Sequence, residues 1–486
     1  MGLISIPGAG DITPAAKKQV VPSAYVDFTT ATWAQQYLPD LMEKEAEVFG
    51  QRTISGFLSQ VGAEESMAAD QVIWTEQGRL HLSYKGCTID AGNAAALNAI
   101  TIGTDVDGNA MGANHGIRKG DMLLITSSAG ANTVTAYVTA VAAAVVTAEP
   151  YDTATSTELA VYGAAGTNAA DVSVLVIGSE FNKGDNYAGS AARTANEPSF
   201  ATFNNKPIIM KDFYQVSGSD TSQIGWVEIS GEEGQNGYLW YLKAAGDTRA
   251  RFSDYVEMTL LEAKKSGQAI TGLSGAAGDG TQGLFDALET RGNVSNAFLG
   301  TAAQNLLDFD LTLAQLDTQG AIEENMMFLN RGTSLKIDDM LASMNSYGAG
   351  GTSFGVFNNS EDMALNLGFS GFRRGSYDFY KSDFRYLNDA ATRGLINGGL
   401  ASEAIRGVFI PAGVTSVYDQ ALGKNLKRPF LHVRYRASEM ESRQMKTWTT
   451  GSVGATTSSL DAMEMHFLTE RCLVVQGANN FVLLKG

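Results

Sequence analysis

Four histidines, two cysteines and several adjacent carboxylates are the residues of this chain that could carry chemistry, and their spacing limits what they can do. His81, His115, His432 and His466 fall in no HExxH pattern and in no Cys/His spacing that binds zinc, so each reads as an ordinary strand or loop residue. Asp105-Val-Asp107-Gly108-Asn109 begins like a calcium loop, but its glycine is misplaced and no glutamate stands at the twelfth position; a polar turn fits better. The glycine run over 348–355 is followed by no Lys-Ser/Thr and no helix start, so it reads as a flexible loop and not a phosphate cradle. Asn293-Val-Ser and Asn358-Asn-Ser match the glycosylation pattern by coincidence, since no secretion signal accompanies them. Glu232-Glu233 and Asp338-Asp339 are neighbours in sequence. Adjacent residues on a helix point to different sides, so these read as helix-terminus and surface charges and not as an acid/base pair. Arg373-Arg374, set between Gly371 and Gly375, reads as a basic turn that either meets an acidic neighbour across an interface or is solvated. No catalytic, cofactor-binding or metal-binding constellation emerges.

The frame that would position any working residue is large. At 486 residues the chain should hold two or three structural units, because single cores stop growing near about 250–300 residues. Fifty-three glycines against nine prolines indicate many turns and exclude a collagen or a proline-rich linker. Thirty-five basic against 52 acidic residues leave a formal charge of −17. That balance argues against a face that grips nucleic acid, though not against a wall that encloses it without sticking. Cys87 and Cys472 lie far apart in no CxxC pattern, as expected in a reducing compartment without structural disulfides. The first ten residues carry neither a basic n-region nor an apolar run, and Ile6 stands where a myristoylation signal needs Ser or Thr. Residues 136–148, interrupted by Thr139, fall short of the roughly 20 that a membrane span requires. A soluble protein with no membrane partner is expected.

Residues 1–37 show little periodicity and read as an extended arm. Residues 38–50 read as a short helix, with Asp40 as N-cap, Glu43 three residues on and Gly50 as stop. Over 73–86, Leu80, Leu82 and Tyr84 alternate with Arg79, His81, Ser83 and Lys85, the period of a two-faced strand, and Gly78 marks a bend. From Cys87 to about residue 185 the composition turns to Ala, Thr, Gly and Val. Arg118 and Lys119 are the only basic residues before Lys183, against nine acidic ones. Strands are expected over 121–126, 133–141, 145–148 and 172–177, making a small barrel or sandwich inserted into a hairpin with arms 73–86 and 198–217. Residues 236–266 carry Tyr238, Leu242, Ala245, Phe252, Val256, Thr259, Leu260 and Ala263 mostly at spacings of three and four. They predict a helical rod of roughly 45 Å, with Lys264 and Lys265 in its last turn and Gly267 as its stop. Beyond it, helices over 306–319 and 334–347 alternate with strands over 325–330 and 377–387. Further strands over 430–436, 463–475 and 481–484 close the chain.

This order of parts resembles the major capsid proteins of tailed bacteriophages with the Hong Kong 97-type fold. Local phrasing is also similar. Gly283-Leu-Phe-Asp-Ala-Leu-Glu-Thr-Arg-Gly292 resembles the turn out of that family's spine region, and Phe328-Leu-Asn-Arg-Gly332 resembles the strand-to-helix turn of its axial domain. The strands over 371–387 and 474–484 also look similar to strands of that family. The resemblance covers nearly the whole chain outside 87–185. It implies an α+β fold with an N-terminal arm (1–37), a short helical segment (38–70), an E-loop (71–87 and 185–222) and an all-β domain inserted in it (88–184). A peripheral domain (223–290 and 406–486) would contain the spine helix 236–266, beside an axial domain (291–405). The size and the insertion are similar to those of larger podovirus-type phages, including the crAss-like group.

The resemblance further implies a non-enzymatic subunit that self-assembles, as pentamers and hexamers, into an icosahedral shell. The shell would enclose double-stranded DNA without sequence-specific contacts, in a virion assembled in the bacterial cytoplasm. Implied partners are scaffolding, portal and decoration proteins; because the arm begins almost at once, a separate scaffolding protein is expected. Trp74, Arg79, Lys85, Arg373 and Arg374 are the candidate intersubunit contacts. The insert is expected to fold alone and to face outward, being acidic and hydroxyl-rich. Competing readings are an encapsulin-type compartment, which is generally shorter and lacks such an insertion, and a tail or surface component, which the long helix fits poorly. A virion-associated glycan-degrading enzyme would need convergent carboxylates in a pocket.

Overall fold

The computed structural model describes residues 56–58, 63–76, 78–79, 81–90, 98–126, 133–151, 169–184, 196, 201–219, 228–230, 236–268, 280–320, 322–346, 371–398, 403–412, 414–419, 424–453 and 456–486. The expected arm, the helix over 38–50 and the glycine run over 348–355 lie outside the described residues. The chain forms two compact units: Thr75–Thr202, and the rest of the chain up to Trp74 and from Phe203 onward.

Strands β1 (Glu64–Met67) and β2 (Val72–Glu76) precede the crossing into the Thr75–Thr202 unit. That unit contains β3 (Ser83–Asp90), β4 (Asn98–Thr101), β5 (Thr104–Asp105), β6 (Asp121–Thr126), β7 (Thr133–Ala142), β8 (Val145–Pro150) and β9 (Ala169–Ser179). Their order is β4-β8-β7-β6-β9-β3-β5, and β3 also pairs with β4, so six strands close a ring. Closure removes the open edges that a flat sheet of this size would expose. Alternation decides what fills it: Val134, Ala136 and Val138 are buried, whereas the residues between them are not. The expected boundary at residue 88 falls inside β3. Tyr84 and Cys87 belong to the barrel core, and Ser83 and Tyr84 pair with Leu175 and Val174 of β9. Gly86, at φ +61°, together with two register shifts, lets one strand pair with β9 along its length while its other edge serves β5 with its first half and β4 with its second.

The return segment also divides. β10 (Ala201–Asn205) pairs with β2, but β11 (Ile208–Ser217) runs antiparallel along a C-terminal strand, from Ile208 opposite Arg471 to Ser217 opposite Ala462. The expected hairpin of 73–86 with 198–217 therefore forms only at its base. A ribbon of β12 (Glu228–Ser230) and β13 (Asn236–Tyr238) leads into helix α1 (Leu239–Glu262). At 24 residues α1 spans about 36 Å, shorter than expected, because the first three expected residues lie in β13 and the last four lie past its end at Glu262. Ala244, Thr248, Phe252, Val256 and Leu260 form its buried row, one residue every four. Lys264 and Lys265 lie past its end: Lys264 pairs with Glu289 at 3.6 Å, and Lys265 donates to the Asn204 carbonyl at 2.6 Å. The chain returns tightly against this end, where the Gly283 N–H donates to the Ala263 carbonyl at 2.7 Å. A Cβ on Gly283 would stand 2.8 Å from the Leu261 carbonyl oxygen, so only glycine fits.

Helix α2 (Leu284–Arg291) leads to β14 (Asn293–Ser295), α3 (Ala302–Gln319), β15 (Glu324–Leu329), α4 (Arg331–Ser346), β16 (Gly371–Arg374) and β17 (Tyr377–Asp383). Thr301 and Gln304 form a capping box at the start of α3, and Gly320, left-handed at φ 71°, ends it. The strand expected over 377–387 stops at Asp383, because Phe384 turns inward against Phe57 and Phe328, with ring centroids at 4.6 and 6.0 Å. Short helices α5 (Arg385–Asn388) and α6 (Arg393–Asn397) follow, then β18 (Ile405–Pro411) and a ribbon of β19 (Val414–Asp419) with β20 (Lys424–Pro429).

The chain closes with β21 (Leu431–Arg436), β22 (Lys446–Gly451), β23 (Ala462–Val475) and β24 (Val482–Lys485). β23 joins β11 on one side to β22 and β21 on the other, and β1 pairs with β21 in parallel. β24 leaves this sheet and inserts between β14 and β18 of a six-stranded sheet ordered β14-β24-β18-β15-β17-β16. The expected boundary at residues 405–406 therefore falls at the start of β18, and both β18 and the C-terminal strand lie with the segment expected to be axial. The reason is that the sheet is apolar on both faces. Leu483, Val408 and Ile410 belong to the core that α1 and α2 share with the β11–β23 sheet, whereas Val482, Leu484 and Phe409 face the core under α3 and α4.

Candidate assembly surfaces

The chemically capable residues are mostly committed to the interior. His115 is buried, with Nε2 2.8 Å from the Ala143 carbonyl, and burial holds its imidazole below its ordinary range. His432 is buried beside the Pro429 carbonyl at 3.2 Å. Asp105 accepts from the Asn109 backbone at 2.8 Å and from its side-chain amide at 2.9 Å, forming a closed polar turn. Asp338 departs from the surface reading: it is buried and paired with Lys381 of β17. Both cysteines are free and buried, and burial raises the Cys472 thiol to about 12, far from thiolate reactivity. Among the described residues no group of three or more His, Cys, Asp or Glu could hold a metal ion, and no helix is long and apolar enough to cross a membrane.

The five candidate contacts each have a partner within their own unit. Trp74 is buried, with its ring 6.2 Å from Phe203 and the Arg291 guanidinium 5.6 Å away. Arg79 pairs with Asp107 at 3.3 Å, and Lys85 donates to the Val106 carbonyl at 2.5 Å; both brace the Asp105–Asn109 turn. Arg373 and Arg374 lie on strand β16, with the turn only at Gly375. Arg373 is 3.6 Å from Asp378, and Arg374 grips both oxygens of Asp310 at 2.5 and 2.7 Å. The acidic neighbour of Arg374 is thus its own α3, a bidentate geometry that favours a fixed pair.

Surfaces that the sequence reading missed lie on α3 and β11. Ala303, Leu307, Leu311, Ala314 and Thr318 form an exposed row on α3 with no charged residue of its own; Leu307 is 61% and Leu311 54% exposed. The three carboxylates of the helix are engaged elsewhere. Asp308 accepts the Phe298 N–H at 3.3 Å, Asp310 holds Arg374, and Asp317 accepts the Tyr377 hydroxyl at 2.5 Å. The signal was present: α3 is apolar on both sides, Phe309 and Leu316 inward and Leu307 and Leu311 outward. On β11, Ile209 and Phe213 point outward at 53% and 55% exposure, while Met210 and Val216 turn toward the core. Phe213, His466 and Trp448 stand opposite one another across β11, β23 and β22, their rings 6.1 and 5.1 Å apart. Separately, the barrel unit leaves Leu175 and Ile177 exposed on β9. Apolar faces of this kind mark contact surfaces more than chemistry.

No family model matches the chain, and no curated protein does. Solved structures are similar to it at low identity. A structure titled Microbacterium phage Oxtober96 covers 94% of this chain and 99% of its own, at 8% identity and a TM-score of 0.38. One titled Mycobacterium phage Bobi covers 91% and 94%, at 7% and 0.35. The capsid structure of the cyanophage P-SCSP1u covers 63% and 80%, at 10% and 0.31. These three are titled as phage structures, one of them as a capsid.

Proposed function

We propose that this chain is a major capsid protein of a tailed phage, a subunit that self-associates into an icosahedral shell around packaged double-stranded DNA. The observation that carries the reading is the uncharged outer row of α3. In a chain of net charge −17, copies repel one another wherever like charges meet, and this helix pairs its carboxylates within the chain and presents one row made only of Leu, Ala and Thr. The Hong Kong 97-type arrangement fits the same frame, with α1 as spine, the α3–α4 region as axial domain and the β2–β10 ribbon as the root of an E-loop that ends in the barrel. The narrower likeness to crAss-like phages rests on the size of the chain and its insertion.

In this reading the protein is a virion component with no catalytic role, and its acidity limits adhesion to the enclosed DNA. Scaffolding and portal proteins are its assembly partners, and the acidic barrel faces outward, available to decoration proteins. The test is assembly itself. The purified chain, concentrated with and without a co-expressed scaffolding protein and viewed by negative stain, should form closed particles of uniform diameter. Leu307→Asp with Leu311→Asp should leave folded, unassembled subunits. A wild-type chain that stays monomeric in both preparations, or a double variant that still closes shells, would overturn the reading.

A further inference from the structure

The aromatic row across β11, β23 and β22 is finished at one end and open at the other. At the finished end the Lys446 ammonium lies over Trp448, 5.7 Å from the ring centre. Trp448 stacks on His466 and His466 on Phe213, with interplanar angles of 19° and 30°. At the open end Phe213 is more than half exposed, on the last strand of its sheet among the described residues. Its backbone N–H is turned away from β23 and donates to Asp212 Oδ1 at 2.9 Å, while Asp212 Oδ2 holds Arg251 at 3.2 Å. An exposed strand of ten residues whose outward side chains include Ile209 and Phe213 is a template for another strand.

We propose that the occupant is β11 of a second copy, paired antiparallel about a two-fold axis through Phe213. Charge selects the partner and the register. Matching the outward faces of the two copies restricts the centre to a residue paired with itself. Centring on Lys211 sets two ammonium groups opposite each other, and centring on Asp212 sets two carboxylates so. Centring on Tyr214 shortens the overlap and places each Phe213 against Gln215. Centring on Phe213 sets Lys211 opposite Gln215, Ile209 opposite Ser217 and Asp212 opposite Tyr214, with no like charges in register. The two open rings then meet, and the row becomes continuous from Lys446 of one copy to Lys446 of the other. The Phe213 N–H exchanges the Asp212 carboxylate for the carbonyl of its symmetry mate, and Asp212 keeps Arg251. The contact is self-complementary, as a two-fold interface must be. It requires a second copy but no shell, so it stands apart from the proposed function.

Disulfide trapping in the full-length chain tests the register, because a hydrogen-bonded antiparallel pair has Cα atoms about 5.5 Å apart, within disulfide reach. Under mild oxidation Phe213→Cys should link into dimers that reductant dissolves. Lys211→Cys and Gln215→Cys should stay unlinked singly and link when mixed. Wild type, whose Cys87 and Cys472 are buried, sets the background. Phe213→Lys should lower non-covalent dimer content by roughly tenfold, by placing two cations face to face. No link at residue 213, or self-linking at 211 or 214, would overturn the pairing. Shells that close without a 213 link would sink this inference and spare the capsid reading. Linked dimers that never close into shells would do the reverse.

Discussion

The barrel of Thr75–Thr202 and the six-stranded sheet of the other unit bury their strands by opposite means. In the barrel, β6, β7 and β8 pair in chain order, and the hydrophobic core is made of Ile, Val, Leu and Ala with Cys87 and one aromatic residue, Tyr84. In the six-stranded sheet, β14 pairs with β24, Asn293 opposite Val482. Its core under α3 and α4 gathers Phe298, Phe309, Phe372, Tyr377, Phe379 and Phe409. A ring buries roughly 150–250 Å², so a few aromatic residues can close a contact between distant segments. A meander of neighbouring strands closes short loops and needs only small residues at each step. One region is local and finely divided; the other is long-range and concentrated.

Truncation should divide them most sharply. Thr75–Thr202 expressed alone should be soluble and melt cooperatively by circular dichroism. A fragment of 88–184, which lacks Tyr84 and the first half of β3, should lose that transition because the ring cannot close. Equal melting of the two fragments would mean that the first half of β3 is dispensable. The next effect belongs to the aromatic core. Phe379, buried against Phe309 at 5.1 Å and Phe372 at 5.4 Å, should cost about 3–5 kcal/mol on Phe379→Ala in urea unfolding. Ile125→Val in the barrel core should cost only about 0.5–1.5 kcal/mol; equal losses would erase the contrast. Lys381→Met, which leaves the buried Asp338 carboxylate unpaired, should destabilise the six-stranded unit by about 3–5 kcal/mol. Adding Asp338→Leu should recover most of that loss, and a double variant as weak as the single would show that the charge is not the cause.

The smallest effect is a difference of sign with pH. Burial is the main influence holding His115 below its ordinary 6.5. The stability its neutral form lends the barrel is therefore full above about pH 6.5 and is lost as pH falls through the lower folded value. Burial is also the main influence on Glu257 of α1, but it raises that carboxyl above its ordinary 4.5, although the Gly56 N–H donates to it at 2.5 Å. Its contribution is full below about pH 4.5 and is lost as pH rises through the raised folded value. On acidification below pH 6.5, hydrogen-exchange protection relative to each amide's intrinsic rate should thus fall in the barrel and rise around Gly56–Leu58. His115→Gln and Glu257→Gln should each flatten the response of their own region only.

Legibility followed the same division. The strands over 121–126, 133–141, 145–148 and 172–177 were readable because period-2 alternation is a local property and their pairing partners lie nearby in the chain. The α1 helix was readable from the spacing of Phe252, Val256 and Leu260, but not the part of its buried row at Ala244 and Thr248, nor its end at Glu262, nor its start, because β13 takes Asn236–Tyr238 through pairing with β12. The exposed apolar faces were the least legible. Arg79, Arg374 and Trp74 meet Asp107, Asp310 and Phe203 of the same chain, partners distant in sequence that polarity or bulk alone cannot reveal. Nothing near Leu307, Leu311 or Phe213 in the chain distinguishes them from core residues; the fold leaves them outside.

The sequence by itself determined the acidic charge, the period-2 alternation of the barrel strands and the existence of an inserted β unit, because each depends on residues close together in the chain. Only the tertiary structure decided that the barrel begins before Tyr84, that β11 joins β23, and that the C-terminal strand lies between β14 and β18. An apolar strand such as Val482–Lys485 states that both its faces must be covered. Which two cores cover them is set by segments that lie nearly 200 residues away, and no local pattern encodes that choice.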